Sequence, residues 1–240
     1  MQVEANPYAW PFNGAFDPAH TALILIDWQH DFCGPGGYVD AMGYDLNLTR
    51  AGVEPTRKVL EACRRIPGMT IMHTREGHKP DLSDCPPNKL WRSKQIGAGI
   101  GDQGPMGRIL VRGEPGHDII DELYPIDGEP VIDKPGKGAF YQTDLQLMLQ
   151  NAGIENLLVC GVTTEVCVNT TVREANDRGY RCVVLGDCCA SYFPEFHAMG
   201  LKMIKAQGGI FGWVSGSREL LAALTAAKGF PMRLAQGSGS

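Results

Sequence analysis

The 240-residue sequence lacks several features that would define a class of protein directly. It contains no Cys-x-x-Cys pair, and its 8 cysteines are sparse, so neither a structural zinc site nor a disulfide scaffold is expected. No apolar run approaches the roughly 20 residues that a membrane-spanning helix needs. The net charge is −5 and no basic stripe is present, so nucleic acid is not an expected partner.

The composition favours one globular unit. Hydrophobic residues make up 43% of the chain and charged residues 20%, which argues against disorder and against a coiled coil. No repeat or Ser/Gly-rich linker divides the chain, so we predict a single domain over residues 1–236. The last four residues, 237–240, are typical of a cloning remnant.

The first residues and the cysteines indicate the compartment. The N-terminal segment has neither the basic region nor the apolar region of a secretory signal. Cys160 and Cys182 lie inside apolar runs, where a thiol behaves as a small hydrophobic group. We therefore expect a cytoplasmic protein with no membrane partner.

Short apolar runs alternate with helical patterns along the chain. Continuous rather than alternating apolarity is typical of central parallel strands, and we predict strands at 22–27, 70–74, 130–133, 156–160, 181–186 and 209–214. Helices are predicted at 53–66, 144–151, 164–178, 195–206 and 217–227. This alternation predicts an α/β fold: a Rossmann-like, doubly wound parallel six-stranded sheet flanked by helices. Residues 76–114 show no clear periodicity and are typical of a lid or docking arm.

In open parallel sheets the ligand lies beyond the carboxyl ends of the strands. Four chemically useful features fall there: Asp27, the segment 73–75, Lys134 and the segment 161–167. Cys167 follows a predicted strand near the start of a helix, where the helix N-terminus lowers a thiol's pKa and its free amides hold an anion. Cys167 is therefore a candidate nucleophile, the alternative being a buried structural cysteine.

Two further residues have both a catalytic and a plain interpretation. Asp27 could take the thiol proton and return it to a leaving amine, or it could cap a turn. Lys134 could stabilise the charges of the Asp27 carboxylate and the Cys167 thiolate, or it could be a solvated surface lysine. Arg75 and Glu76 either line the site's mouth or pair at the surface.

Three separated segments carry a family resemblance: Asp27-x-Gln-x-x-Phe32, Lys134-Pro-x-x-Gly-Ala-Phe140 and Gly161-Val-Thr-Thr-x-x-Cys167-Val. They resemble, in the right order, the signatures of the isochorismatase-like cysteine hydrolases, which include nicotinamidases and several ureide hydrolases. The resemblance covers nearly the whole chain and implies a triad of Asp27, Lys134 and Cys167 in the fold of that family. It also implies a cis peptide before Thr163 and an oxyanion hole made by the amides of Thr163 and Cys167.

Other segments are most similar to the biuret and triuret hydrolases of this family. They include His-Thr-Arg-Glu-Gly-His at 73–78, Asp-Lys-Pro-Gly-Lys at 133–137 and Gln-Gly-Gly-Ile-Phe at 207–211, together with segments 33–45, 88–92 and 173–179. The likeness implies that Gln207 holds the substrate's terminal urea group and that Phe32 forms an apolar wall. The alternatives are that Gln207 caps its own helix and that Phe32 packs in the core. One departure is Lys137-Gly138, where many members of the family have Tyr-Ser.

The resemblance implies the release of ammonia from a small neutral ureide, through a thioester and without a cofactor. A metal is not expected, since His73 and His78 are off the helical ligand spacing and no Asp matches the nicotinamidase metal set. A homotetramer is expected. We expect the choice between biuret and triuret to depend on pocket depth and on residues such as Trp28, His30, Lys137 and Tyr141. Trp28 is a candidate for the pocket floor.

Other functions stay open from sequence alone. A related enzyme could hydrolyse ureidoacrylate, N-carbamoylsarcosine or nicotinamide, or the chain could be a non-catalytic scaffold of the same fold. The intact set of Asp27, Lys134 and Cys167 argues against the scaffold, which has no need of all three.

Overall fold

The computed structural model describes residues 2–14 and 16–227. The predicted cloning remnant and the last part of the predicted domain, 228–236, lie outside the described residues. Within the described ranges, no helix combines the length and the apolar character that crossing a bilayer requires.

A six-stranded, fully parallel sheet forms the centre of the molecule, with a small antiparallel hairpin beside it. The strands are β1 (Thr21–Ile26), β2 (Thr70–Glu76), β3 (Gln103–Gly104), β4 (Gly107–Arg108), β5 (Val131–Lys134), β6 (Asn156–Val162), β7 (Arg181–Ala190) and β8 (Trp213–Ser215). The main sheet has the order β5-β2-β1-β6-β7-β8, and β3 pairs with β4.

Helices cover both faces of the sheet. They are α1 (His30–Cys33), α2 (Tyr38–Ala41), α3 (Leu46–Arg50), α4 (Val53–Arg64), α5 (Pro87–Gln95), α6 (Leu145–Asn151), α7 (Asn169–Asp177), α8 (Pro194–Gly209) and α9 (Ser217–Ala227). A π-helical turn, Thr164–Val168, precedes α7.

The alternation of side chains along β1 shows how the two faces are filled. Leu23 and Leu25 belong to the core that includes residues of α4 and α9, whereas Ile24 and Ile26 belong to the core that includes residues of α6, α7 and α8. Since successive side chains of a strand point to opposite faces, a strand buried on both sides must be apolar throughout. The doubly wound six-stranded sheet is therefore confirmed.

The predicted element bounds differ from the structure in a few places. The sixth strand begins at Trp213 rather than at residue 209, and the helix predicted at 164–178 begins with the π-helical turn. The short helices α1, α2 and α3 are not in the prediction, because four or five residues carry too little periodicity to be recognised. The segment 76–114 contains α5 and the β3–β4 hairpin.

The strand order places the site. Successive strands run from β1 outward through β2 to β5, and then from β6 outward through β7 to β8. The direction of winding therefore reverses between β1 and β6, and such a reversal opens a crevice at the carboxyl ends of the two strands. Asp27 directly follows β1, and Gly161 and Val162 end β6.

Gly161 allows β1 and β6 to approach each other at this crevice. Its φ is 143°, and a Cβ built there would lie 2.3 Å from the carbonyl oxygen of Ile26. We expect Gly161→Ala to lower the free energy of unfolding by about 3 kcal/mol, because the clash is with backbone that cannot move aside. Urea unfolding monitored by circular dichroism measures this change.

Gly128→Ala is the matched control. Gly128 also has a positive φ, 91°, but a Cβ there would meet nothing within 4 Å. Its replacement should lower the free energy of unfolding by only about 1 kcal/mol. Equal losses in the two variants would contradict the close approach at Gly161.

Candidate active site

Asp27 anchors the site in the crevice. Its backbone has a φ of 54°, a conformation that aspartate tolerates better than most residues, and its amide donates to the carbonyl of Thr74. The hydroxyl of Thr74 donates to Oδ1 at 2.7 Å, and the Nζ of Lys134 lies 2.8 Å from Oδ2. The side chains of Asp27 and Lys134 are both 0% exposed. The carboxylate is therefore out of contact with solvent, with Oδ1 hydrogen-bonded to Thr74 and Oδ2 in the ion pair with Lys134.

Lys134 is a fixed buried cation. Besides Asp27, its ammonium donates to the carbonyl oxygens of Gly136 and Lys137, each at 3.0 Å. Burial disfavours the charged form of Lys134. The negative charge of Asp27 acts in the opposite direction, with a smaller contribution from Cys167, and the pKa of Lys134 is raised. The interpretation of Lys134 as a solvated surface lysine is therefore wrong.

Cys167 lies in the π-helical turn, with its thiol facing both carboxylates. Its Sγ donates to Oε2 of Glu76 at 3.5 Å, and one ligand atom each of Asp27, Glu76 and Cys167 lie within 4.8 Å of one another. Burial raises the pKa of the thiol well above its ordinary value, although Lys134 acts to lower it. The expected lowering by a helix N-terminus is wrong as a net effect, because burial outweighs it. Burial thus favours the neutral thiol over the thiolate.

A cavity of about 350 Å³ opens against Cys167. Its wall comes from α1 and α2, from the segment 76–114, from the end of β6 with the π-helical turn, and from Tyr192 and Phe193. Most lining side chains are apolar or aromatic, and the charged ones are Arg92, Lys137 and Glu165. The segment 76–114 therefore forms one side of the pocket, and its role as a lid or docking arm stays a prediction.

Thr163 and Phe32 both line this cavity. The peptide bond between Val162 and Thr163 is cis, which confirms that implication of the resemblance. The carbonyl of Thr163 accepts hydrogen bonds from the amides of Val166 and Val168. Phe32 meets Tyr38 edge-on, with ring centroids 6.1 Å apart, and also packs against the core, so both of its predicted positions apply. The oxyanion hole stays a prediction.

Gln207 does not join the other predicted site residues. It lies at the end of α8, where helical dihedral angles are lost, and it has φ 50° and ψ 40°. The side chain is exposed, and it is not among the residues that line the cavity. The break in α8 thus places Gln207 at the surface of the single chain, and its contact with a substrate stays a prediction.

Trp28 also lies elsewhere than proposed. It is 1% exposed and belongs to the core cluster with Val53, and Gly52 has no room for a Cβ because of its ring. The pocket-floor interpretation of Trp28 is wrong, since the ring lies within the core and does not line the cavity. Of the other proposed selectivity residues, Lys137 lines the cavity, whereas His30 and Tyr141 do not.

The structure places Glu76 inside the site and adds Gln29 to it. Glu76 ends β2 and is 1% exposed, so it is neither at the surface nor paired with Arg75, which binds Asp118 and Asp133. Gln29 holds the backbone of Glu76 through two hydrogen bonds, one to its carbonyl at 3.0 Å and one from its amide at 2.6 Å. The strand-end rule that selected Asp27 also applies to Glu76 and could have found it.

A metal does not fit this donor set. Among the described residues, Asp27, Glu76 and Cys167 form the one group of three potential ligands close enough together. Both carboxylates are already paired with lysine ammoniums, which supply the positive charge that a cation would bring. A metal ion would have to displace these lysines.

The site combines an acid, an ammonium and a thiol at the carboxyl edge of a parallel sheet. This combination suits nucleophilic hydrolysis by cysteine. A family model described as the isochorismatase domain matches residues 21–218. The chain therefore belongs to the isochorismatase family of hydrolases.

Solved structures agree with this assignment. A cysteine hydrolase from Pseudomonas syringae pv. phaseolicola 1448A is 25% identical, with a TM-score of 0.73 over 88% of this chain and 95% of that one. An isochorismatase family protein from Desulfovibrio vulgaris is 26% identical, with a TM-score of 0.71 over 86% and 98%. An N-carbamoylsarcosine amidase from Thermoplasma acidophilum, at 24% identity, a TM-score of 0.63 and coverage of 83% and 97%, shares the fold.

The buried ion pair predicts a large asymmetry between single and double substitutions. Lys134→Met leaves the carboxylate of Asp27 buried without its cation, so the free energy of unfolding at pH 7 should fall by about 3–5 kcal/mol. The double variant Asp27→Asn/Lys134→Met removes both charges and should recover most of that loss. Urea unfolding of both variants measures the difference.

Lys58→Met is the matched control for loss of a lysine. Lys58 pairs with Glu54 at 3.5 Å on the surface of α4, and both side chains are more than half exposed. Its replacement should change the free energy of unfolding by less than about 0.5 kcal/mol. A Lys134→Met variant as stable as this control would contradict the buried pair.

Proposed function

We propose that this protein is a cysteine-dependent amidohydrolase that cleaves a terminal C–N bond of biuret or triuret with release of ammonia. The observation that carries the proposal is the thiol of Cys167 at the wall of a cavity of about 350 Å³, backed by the buried Asp27–Lys134 pair. The choice of biuret or triuret is supported by the segments at 73–78 and 133–137 that resemble those hydrolases.

The first half-reaction makes a thioester. Asp27 takes the proton of Cys167, and the thiolate attacks a terminal carbonyl carbon of the substrate. The negative charge on the carbonyl oxygen is held by the amides of Thr163 and Cys167. When the C–N bond breaks, Asp27 returns the proton to the leaving nitrogen, which departs as ammonia.

The second half-reaction regenerates the thiol. Asp27 accepts a proton from water, the resulting hydroxide adds to the thioester carbonyl, and the C–S bond breaks as the sulfur regains a proton. Biuret gives allophanate by this route. Triuret gives carboxybiuret, which loses carbon dioxide to give biuret. Lys134 stays charged throughout and stabilises the ionised form of Asp27.

A second substrate type is favoured by one observation. Arg92 lines the cavity, and its guanidinium forms no ion pair or hydrogen bond with the other residues of 2–14 and 16–227. A free guanidinium at a pocket wall suits a carboxylate, to which it donates two parallel hydrogen bonds. A ureide that carries a carboxylate, of the ureidoacrylate or N-carbamoylsarcosine type, is therefore the second candidate.

The homotetramer and the cytoplasmic location stay predictions.

Ammonia release over a panel of biuret, triuret, ureidoacrylate, N-carbamoylsarcosine and nicotinamide tests the proposal. Turnover should be highest on biuret or triuret, and Cys167→Ser should lose at least about 1,000-fold in kcat/KM, since the nucleophile is replaced by a far weaker one. If the folded wild-type protein released no ammonia from biuret or triuret, the proposal would be contradicted.

Arg92→Gln separates the two substrate types. If the substrate is a neutral ureide, this variant should keep kcat/KM for biuret within about twofold of the wild type. If the substrate carries a carboxylate, the loss of a charge-assisted hydrogen bond should raise KM for that substrate by roughly 10- to 100-fold. The second result, together with low activity on biuret, would replace the first candidate by the second.

A further inference from the structure

Glu76 is a buried charge that the mechanism above does not use. It ends β2, its backbone is fixed by Gln29, and its side chain is 1% exposed. One carboxylate oxygen, Oε1, accepts from Lys89 at 3.0 Å and from Lys137 at 2.6 Å. The other, Oε2, receives the thiol of Cys167 at 3.5 Å. A group held this firmly, with one oxygen against the nucleophile, requires an explanation beyond fold stability.

The charges around the thiol do not balance in the resting state. The charged groups of the cluster are two carboxylates, of Asp27 and Glu76, and three ammoniums, of Lys89, Lys134 and Lys137. With a neutral thiol the cluster therefore carries one surplus positive charge. Such a surplus favours the negative charge that develops on sulfur and on the carbonyl oxygen during attack.

The two carboxylates have different partners. Asp27 pairs with the single ammonium of Lys134, whereas Glu76 binds both Lys89 and Lys137 directly. Burial opposes the ionised form of Glu76, but Lys137 and the other lysines outweigh it and hold the pKa of Glu76 well below its usual range. A carboxylate that is so weakly basic accepts a hydrogen bond from the thiol without taking its proton.

Lys137 depends on Glu76 for its place. It lines the cavity, its side chain is 37% exposed, and within 2–14 and 16–227 its one ion pair is with Glu76. The flexible stem of a lysine leaves its ammonium free to move into solvent unless such a partner fixes it. The ammonium of Lys137 is therefore fixed at the pocket wall only while Glu76 is ionised.

We propose that Glu76 is a positioning residue that holds Cys167 as an oriented thiol and fixes the ammonium of Lys137 beside it, so that the thiol proton passes to Asp27. In the proton transfer, the S–H bond of Cys167 breaks and an O–H bond forms on Asp27, while Glu76 stays ionised. Two properties follow. Removal of the negative charge at Glu76 makes the thiol more acidic, because Glu76 raises the pKa of the thiol more than Lys137 lowers it. The same change impairs turnover, because the thiol loses its hydrogen-bond acceptor and Lys137 loses the partner that fixes it.

The thiol faces charged and titratable groups from several elements, and all of them contribute to its protonation. They are Asp27 after β1, Glu76 on β2, Lys134 on β5, Lys137 after β5, Tyr38 on α2 and Tyr192 after β7. Among these, Glu76 is the residue that accepts the thiol's hydrogen bond, so its replacement is the most direct perturbation of the thiol.

The test is the pH dependence of alkylation of Cys167 by iodoacetamide, read by mass spectrometry of the peptide that contains it. Glu76→Gln should move the midpoint of the profile at least about one pH unit lower, which means roughly tenfold more thiolate at a given pH below the midpoint. In the same variant kcat/KM should fall about 10- to 100-fold. Glu76→Asp keeps the charge, so its midpoint should stay near the wild-type value and its activity should be partly restored.

Glu129→Gln is the matched control for loss of a buried ion-paired carboxylate. Glu129 is 7% exposed and pairs with Arg64 and His73, away from the cavity lining. This variant should leave the alkylation midpoint of Cys167 unchanged. Cys167→Ser gives the background from the other 7 cysteines, all buried.

Two outcomes would overturn the proposal. A higher midpoint in Glu76→Gln would make Glu76 the base that ionises the thiol, and an unchanged midpoint with wild-type turnover would leave it a purely structural clamp. If Glu76→Gln does not fold, Lys137→Met serves instead. It removes a cation that faces the thiol, so the midpoint should rise, and an unchanged midpoint would contradict the proposal.

The inference rests on the proposed role of Cys167 as nucleophile, but alkylation needs no substrate. A substrate panel that yields no ammonia would therefore contradict the proposed substrates without affecting the alkylation profile. The opposite result is turnover on biuret with an unchanged alkylation midpoint in Glu76→Gln. It would contradict only the proposed role of Glu76.

Discussion

The ion pair between Asp27 and Lys134 is the interaction on which the rest of the site depends. Placing two opposite charges at 0% exposure costs several kcal/mol for each ion, and this is offset only when their geometry and remaining hydrogen bonds are satisfied. Here the pair distance is 2.8 Å, Thr74 donates to the carboxylate, and two backbone carbonyls accept from the ammonium. The ends of β1, β2 and β5 must therefore stay in one register.

The same burial decides the chemistry of the thiol. Because Cys167 is buried, its pKa is raised, and in the proposed mechanism the thiolate is generated by proton transfer inside the site rather than by ionisation into solvent. Such a transfer keeps the proton in the site, where the leaving nitrogen later needs it. The lysines around the two carboxylates then meet the negative charge as it develops, without reorganisation of solvent.

Much of the fold could be predicted from sequence because its signals are local. Strands buried on both faces read as continuous apolar runs, and the strand-end rule places Asp27, Lys134 and Cys167 at one edge before any family resemblance is used. The short helices α1 to α3 could not be predicted, since tertiary contacts rather than periodicity stabilise helices of four or five residues.

The parts of the site that were missed depend on non-local or unusual geometry. The pairing of Glu76 with Lys89 and Lys137 joins residues 13 and 61 positions apart, and no local pattern encodes it. The exposed position of Gln207 outside the cavity lining follows from the loss of helical dihedrals at 206–208 in α8, which a periodic pattern does not show. Trp28 was misplaced because its signature gives no information about which side of the chain faces the core.

The most direct test of the account is a search for the covalent intermediate. Rapid quenching of the protein with biuret, followed by mass spectrometry of its peptides, should reveal an adduct of biuret minus ammonia on the peptide that contains Cys167. The adduct should form together with the first equivalent of ammonia. Turnover without any adduct on Cys167, or an adduct on another residue, would contradict the assignment of this thiol as the nucleophile.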